Sequence, residues 1–422
     1  MTFQDDTAYA LEEDRLDPLS EYRKLFHIPP DKRGRSQLYL AGNSLGLQPK
    51  SARRYVDEEL DDWQRYAVEG HFFGRRPWMP YHELATAASA RLVGAKDIEV
   101  VCMNTLTVNL HLMMVSFFRP SGKRKKILIE KPAFPSDRYA VVSQLKFHGL
   151  DPAENLIEIA PRESEFFLAE QNISDTIDKH GDEIALILLP GVQYYSGQVL
   201  DMAEITRLGH NKGCMVGFDL AHAIGNIPLQ LHDWDVDFAA WCTYKYMNSG
   251  PGAIGGCYIN KRYAEDDSLS RLAGWWGHDK SSRFRMGPEF IPIPGAEGWQ
   301  LSNPPILSLA PVLASLDIFD RVGIPALRDK STKLTSYLAW LVDKKLDEHI
   351  QIITPQHARA SQLSLRLRRP ELGREVQKRL GIRGVICDWR EPDVIRVAPV
   401  PLYNRYTEVY RFVEVMQELL AT

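Results

Sequence analysis

The chain has 422 residues, with 51 Lys+Arg against 55 Asp+Glu and a formal net charge of −4. Hydrophobic residues make up 44% and charged residues 25%, a globular balance that excludes a disordered chain or a collagen-like fibre. The near-neutral charge argues against a protein built around nucleic-acid phosphates, and the length predicts an enzyme-sized molecule of two or three domains at roughly 150 residues each. The first 50 or so residues read as irregular, with turn residues at Ala41-Gly42-Asn43-Ser44 and Gly46. A strand follows at 100–103, then a helix over 105–118 with Leu106, Leu110, Met113, Met114 and Phe117 at helical spacing. Strands at 126–130, 184–189, 215–218, 238–241 and 253–259 alternate with helices over 136–147 and 203–211. Apolar strands interleaved with helices imply a mostly parallel sheet covered on both faces, an α/β domain. Beyond about residue 305 the texture changes. Helices at 307–321, 326–348, 373–380 and 406–420 mix with short strands at 351–353, 362–367 and 394–397, which predicts a smaller α+β domain.

The five cysteines are odd in number and form no C-x-x-C pair. They predict buried small hydrophobes in a reducing compartment rather than disulfides or a zinc site, and no metal is expected. The acidic N-terminus lacks the apolar core of a signal peptide, and no run approaches the roughly 20 apolar residues of a membrane span, so a cytoplasmic protein without membrane contact is expected. The basic run Lys123–Lys126 leads straight into a strand and reads as a solvated turn, not a nucleic-acid patch.

The chemistry concentrates between Gly217 and Gly256. Asp219 ends a buried apolar strand, where ligands of open α/β sheets bind; as a plain alternative it caps a helix. Lys245 follows the apolar segment 238–242, a setting that desolvates a lysine and makes it nucleophilic, as a Schiff base requires; the alternative is a snorkelling surface lysine. Gly250-Pro251-Gly252-Ala253-Ile254-Gly255 formally matches G-x-G-x-x-G, but no strand precedes it and a strand follows, so a nicotinamide site is rejected. Met103-Asn104-Thr105-Leu106-Thr107 joins a strand to a helix, and a helix start offers N–H groups and positive dipole to a phosphate. Pro135 suits the first turn of the next helix and Ser136 is its expected cap, while Phe134 is placed to stack on an aromatic ring. A lysine, an acid for a pyridine nitrogen and a helix start for a phosphate together describe pyridoxal phosphate machinery.

Several longer stretches carry a resemblance. They include Leu40-Ala41-Gly42-Asn43-Ser44-Leu45-Gly46-Leu47-Gln48, Gly70-His71, 134–137, 218–226, Tyr244-Lys245, 274–278, Ser302-Asn303-Pro304-Pro305-Ile306 and Arg396-Val397-Ala398-Pro399-Val400-Pro401-Leu402-Tyr403-Asn404. Over almost its whole length the chain resembles the kynureninase family, pyridoxal 5'-phosphate enzymes of the aspartate-aminotransferase-like fold type I. The resemblance implies a large cofactor-binding domain over 51–305, a small domain over 306–422, and an N-terminal segment, 1–50, packing with the small one. It implies that Lys245 forms the Schiff base, that Asp219 pairs with the pyridinium, and that His222 lies beside the cofactor. Leu106 and Thr107 match phosphate-side positions, Phe134 the stacking ring, and Pro135, Ser136 and Asp137 the rest of that stretch. Tyr244, Trp275 and Asn303 match further cofactor contacts, of a kind that fold type I homodimers often share between subunits.

Arg396 matches the clamp for a substrate α-carboxylate, with Arg359 as a weaker candidate; Ser44, His71, Trp276, Ser302 and Asn303 match substrate-pocket positions. Pro190 departs from the pattern, standing where some relatives would carry a small polar residue. The implied reaction is hydrolytic Cβ–Cγ cleavage of L-kynurenine or 3-hydroxy-L-kynurenine to L-alanine and an anthranilate, in tryptophan degradation or NAD precursor synthesis, with Tyr244 as a proton relay. The rival within the fold is a cysteine desulfurase or an aminotransferase. The bulky surroundings of Cys387 speak against a desulfurase, which needs a mobile cysteine.

Overall fold

A computed structural model describes residues 2–266 and 268–421. Its centre is a seven-stranded sheet whose strands stand in the order Val100–Cys102, Gly256–Ile259, Phe238–Trp241, Met215–Asp219, Ile184–Pro190, Lys126–Glu130, Leu156–Ile159. From Phe238–Trp241 to Leu156–Ile159 neighbouring strands pair in parallel, and Gly256–Ile259 runs against both of its neighbours. The mostly parallel α/β reading therefore holds. Apart from the edge strand Leu156–Ile159, its strands are buried along nearly their whole length (Ile184–Pro190 at every position), which a sheet with both faces covered requires. One apolar core lies on each face: Leu128, Ile187, Val216 and Phe218 point to one, and Ile127, Leu186, Leu188 and Phe238 to the other.

The sheet ends where the chemistry begins. Lys126–Glu130, Ile184–Pro190 and Met215–Asp219 all present their carboxyl ends, Glu130, Pro190 and Asp219, at one edge, with Pro190 and Asp219 in direct register. Gly250 and Gly252 take positive φ (87° and 74°) in the turn that feeds Gly256–Ile259. A strand follows this turn, so the glycine run is a turn and not a dinucleotide fingerprint.

A second, antiparallel sheet stands in the order Asp388–Arg390, Val394–Val397, Leu363–Leu367, Ile350–Ile352, with its own apolar core beneath the helices Ile324–Lys345 and Tyr406–Leu420. The N-terminal residues are not irregular as expected. Thr7–Leu16 is a helix whose start is capped by Asp6, and it packs on Tyr406–Leu420. Asp14 accepts the N–H of Tyr406 at 2.6 Å, and Asp17 forms a buried ion pair with Lys330 at 2.7 Å. Leu38–Tyr39 then pairs in parallel with Val385–Ile386, and Ala41 with Ala398. This pairing delivers the Gly42–Leu47 turn to the strand that carries Arg396. The helix Ile306–Val322 buries Leu309, Val312, Leu316 and Phe319 in the core of the large sheet and packs on the helix Ser51–Tyr66.

Candidate active site

A cavity of about 140 Å³ opens at the carboxyl ends of the central strands, lined by Leu106, Thr107, Glu130, Phe134, Ser136, Asp137, Pro190, Tyr194, Asp219, His222, Tyr244 and Lys245 among others. Nine of the residues expected at a cofactor site thus converge from four separate segments. Lys245 Nζ lies 2.9 Å from His222 Nε2 and about equally far, 5.9 Å, from the ring centres of Phe134 and Tyr244. Burial, then the charges of Lys245, Arg396 and Arg390, push the His222 imidazole well below its ordinary range, so it is neutral. Its Nε2 accepts from the Lys245 ammonium, which leaves the proton on Nδ1, a buried atom with no partner among the described residues. A larger cleft of about 830 Å³, between the 27–57 segment and residues 248–251, lies against the back of this loop. Its ionisable side chains are His27, Tyr39, Arg53 and Asp57, with no lysine for a Schiff base, so volume alone does not locate the chemistry.

Three carboxyl groups form the floor. Asp219 holds the N–H of Ala221 on Oδ1 at 2.7 Å, so it fixes the local turn and still presents its charge to the cavity. Beside it, burial and the charges of Asp219 and Glu130 raise the Asp137 carboxyl well above the carboxylate range. Asp137 Oδ1 is buried without a partner among the described residues. Burial pushes Glu130 up to about 8, its own backbone N–H opposing and the charge of Asp219 assisting. Crowded acids of this kind cannot all ionise; the Lys245 charge opposes the rise at Asp137 without outweighing burial and the neighbouring acids. A protonated ring nitrogen would add a second cation.

The phosphate end has the open helix start that was expected, and differs only at the cap of the next helix. No side chain caps the helix Leu106–Phe117, although Asn104 and Thr105 are both capping residues. Asn104, at φ 49°, instead donates to Asn109 Oδ1 at 3.0 Å. Ser136 is not the cap of its helix either: Phe134 holds that place and Pro135 fills the first turn. The Ser136 hydroxyl lies 2.8 Å from that of Thr107. An uncapped helix start beside two hydroxyls is what an anion needs. Pro190 lines the cavity with apolar surface only and offers no N–H.

Arg396 is 1% exposed and sits in the second sheet, with Nη1 donating to the carbonyl of Tyr194 at 2.6 Å and Nη2 paired with Asp388. Burial lowers its guanidinium to about 10, which leaves it charged. Tyr194 packs edge-on against Phe134, 5.3 Å between ring centres, so it joins the arginine to the cofactor-side wall. Asn43 and Gln362 complete the link: Asn43 Nδ2 donates to Gln362 Oε1, and Gln362 Nε2 to the Tyr194 carbonyl. Gly46 donates its N–H to the carbonyl of Tyr244, and any side chain on it would run into the backbone of Lys245 and Asn248. The turn that carries Ser44 is thereby set against the lysine loop.

Other expected residues do not reach this cavity within one chain. Ser44, Ser302 and Asn303 are exposed and His71 is half-buried, with Nδ1 2.9 Å from the carbonyl of Val68. Trp275 is 41% exposed. Trp276 is fully buried under the Arg283 guanidinium, 4.3 Å above its ring, so its indole packs rather than lining an open pocket. Arg359 faces away: its Nη2 donates to Ser336 at 2.8 Å in a different cavity, so it does not share the role expected of Arg396. Glu130 and Tyr194 were not anticipated. Glu130 had a legible signal, an acid ending the apolar strand KILIE; Tyr194 had none.

The raised acids give a pH signature. The unfolded chain loses the Glu130 proton near its ordinary value, while the fold keeps it to about 8, so between those values rising pH favours unfolding. The depressed His222 acts oppositely below about 6.5. Glu130→Gln is expected to stabilise the cofactor-free chain at pH 8 by about 2–4 kcal/mol and to change little at pH 5. Thermal melts across that range check it, and an equal gain at both values contradicts it.

Residues 327–416 match the family model described as the kynureninase C-terminal domain. A kynureninase of Koribacter versatilis is 57% identical over 96% of both chains, and one of Myxococcus xanthus 56% identical over 98% of this chain and 97% of the relative. Among solved structures, a cysteine desulfurase from Thermococcus onnurineus superposes with a TM-score of 0.74 over both whole chains at 18% identity. A C-DES mutant with glycine linked to its PLP cofactor superposes with a TM-score of 0.75 over 90% of this chain and 96% of that one, at 17% identity. At such identities the structures share the fold alone, that of the PLP-dependent fold type I enzymes. At the identities and coverage of the bacterial relatives, the chain belongs to the kynureninase family.

Proposed function

We propose that the chain hydrolyses the Cβ–Cγ bond of L-kynurenine, 3-hydroxy-L-kynurenine or both, giving L-alanine and the matching anthranilate, with pyridoxal 5'-phosphate attached at Lys245. The observation that carries this reading is the placement of Lys245 Nζ between neutral His222 and the acid floor of Asp219 and Asp137. When bound, pyridoxal phosphate supplies an electron sink for the carbanion left by proton removal and bond cleavage.

The chain's own residues do the rest. The free helix start at Leu106, with the Thr107 and Ser136 hydroxyls, would hold the phosphate, and Phe134 would stack on the ring. Asp219 would pair with the ring nitrogen, while Asp137, raised by burial and its acidic neighbours, would keep its proton. Lys245 Nζ removes the substrate Cα proton, and His222 accepts a hydrogen bond from that nitrogen without competing for the proton. Burial raises the Tyr244 phenol above its ordinary range, so it stays a donor and passes a proton to Cβ, which keeps the bonding electrons when Cγ leaves as the carboxyl carbon of the anthranilate. Water adds at the γ-carbonyl, and Arg396 grips the α-carboxylate through a planar two-pronged pair.

Ser44, His71, Ser302, Asn303 and Trp275 are proposed to contact substrate and cofactor in a homodimer, their exposure in one chain fitting a site shared between subunits. The desulfurase rival finds no support in Cys387, whose thiol burial pushes up to about 12 and which stands between two strands rather than on a loop. Among the described residues no helix is long and apolar enough to cross a membrane; a cytoplasmic enzyme of tryptophan degradation or NAD precursor synthesis is the proposed setting. The test is parallel turnover of both substrates by the purified chain with added pyridoxal phosphate. Formation of alanine and the anthranilate from at least one is expected; sulfide release from cysteine with neither substrate consumed would overturn the reading.

A further inference from the structure

Asp388 and Arg396 face each other across the antiparallel pair Asp388–Arg390 and Val394–Val397. The same carboxylate oxygen, Asp388 Oδ2, accepts from Arg396 Nη2 and from Arg390 Nη2, the latter at 3.0 Å. Two guanidinium groups therefore share one carboxylate. The Nε of each is buried and has no acceptor among the described residues. Both charges reach His222, where they help to keep the imidazole neutral. The cluster carries one positive charge in excess and has donors in hand for a second carboxylate. A buried, nearly inaccessible Arg396 needs a counter-charge when no substrate is bound, and Asp388 supplies it.

We propose that Asp388 is a placeholder for the substrate's carboxylate on Arg396, and that Arg390 is the positioning residue that takes Asp388 over when substrate arrives. Before exchange the cluster holds two cations and one anion; afterwards each arginine has a carboxylate of its own. Each arginine keeps a carboxylate contact at both stages, which lowers the cost of opening a buried pair. The inference rests on Arg396 being the carboxylate clamp, and it adds that affinity is set by a competition within the chain.

The test is steady-state kinetics of the holoenzyme on L-kynurenine, with KM and kcat separated and acetate used as a simple carboxylate inhibitor. Asp388→Asn removes the competitor: KM and the acetate inhibition constant are expected to fall about 3- to 10-fold, with kcat within about twofold, even as thermal stability drops. Arg390→Gln leaves Asp388 on Arg396, and KM rises by a similar factor; Arg390→Lys restores it. The double variant Asp388→Asn/Arg390→Gln returns KM to the level of Asp388→Asn alone, since without Asp388 there is nothing for Arg390 to hold. A double variant that keeps the high KM of Arg390→Gln overturns the proposal, because Arg390 would then touch substrate directly. So does an Asp388→Asn protein that folds, holds cofactor and has a raised KM. Should Asp388→Asn fail to fold, the Arg390→Gln and Arg390→Lys pair still decides: an unchanged or lowered KM in Arg390→Gln defeats the exchange. Arg396→Gln separates the two claims. If it leaves KM unchanged, the clamp reading itself fails; if it raises KM while the other variants do not diverge, only the exchange fails.

Discussion

Lys245→Ala is expected to lower L-kynurenine turnover by about 10⁴-fold or more, the scale of removing a nucleophile that also serves as the positioned base. The reason is geometric. Lys245 Nζ is the amine at the cavity, and the group nearest to it, His222, is held neutral and buried with one nitrogen turned to the lysine. His222 cannot replace the lysine as an attachment point, and its depressed basicity makes it a poor base. Cofactor binding should weaken but persist, because the helix start, the Thr107 and Ser136 hydroxyls and the carboxyl floor are untouched. Single-turnover assays with added primary amine are the measurement: partial rescue by a small amine would show that the missing group is a base in the right place. A Lys245→Ala protein that turns over at the wild-type rate would remove the basis of the proposed mechanism.

Asp219→Asn is expected to reduce turnover by about 10²- to 10³-fold and to weaken cofactor retention. An amide cannot keep a ring nitrogen protonated, so the carbanion loses much of its electron sink. The loss is smaller than for Lys245 because Asp137 is at hand. With the Asp219 charge gone, the main electrostatic pressure on Asp137 beyond burial is relieved, and it can ionise in part. Asp219→Asn/Asp137→Asn should then fall well below the product of the two single losses, a coupling expected of carboxyls that share one proton. Turnover in the three variants, with cofactor content read from absorbance, decides it; strict additivity would mean that the two acids act independently.

How much of this was legible in the sequence depended on where apolar residues lie. The strand runs Lys126–Glu130 and Phe238–Trp241 are buried on both faces and were read with their true ends, as was the strand Val394–Val397. Thr7–Leu16 and Ser51–Tyr66 went unread because they bury almost nothing apolar: Ala10 in the first, Ala52 and the ion-paired Glu59 in the second. Leu156–Ile159 went unread for a related reason, being an edge strand with three half-buried positions. A capping residue misled at the phosphate end, since Ser136 lies inside its helix with Phe134 at the cap, while the start at Leu106 is free as expected. Propensity describes what a residue favours locally and is silent about a ligand that competes for the same N–H groups.

By itself, the sequence determined the alternation of the central strands and helices, the acid at the end of one strand, the lysine after the next, and the family to which both belong. These are properties of neighbours along the chain, and periodicity and motif spacing record them directly. Only the tertiary structure decided that Asp137 and Glu130 crowd Asp219, that Tyr194 bridges Phe134 to Arg396, that Arg359 points elsewhere, and that Asp388 stands on the carboxylate clamp. Each depends on strands and loops distant in sequence meeting at a sheet edge, where burial sets which charges survive. Such meetings are fixed by register and packing, which the order of residues does not display until the chain has closed on itself.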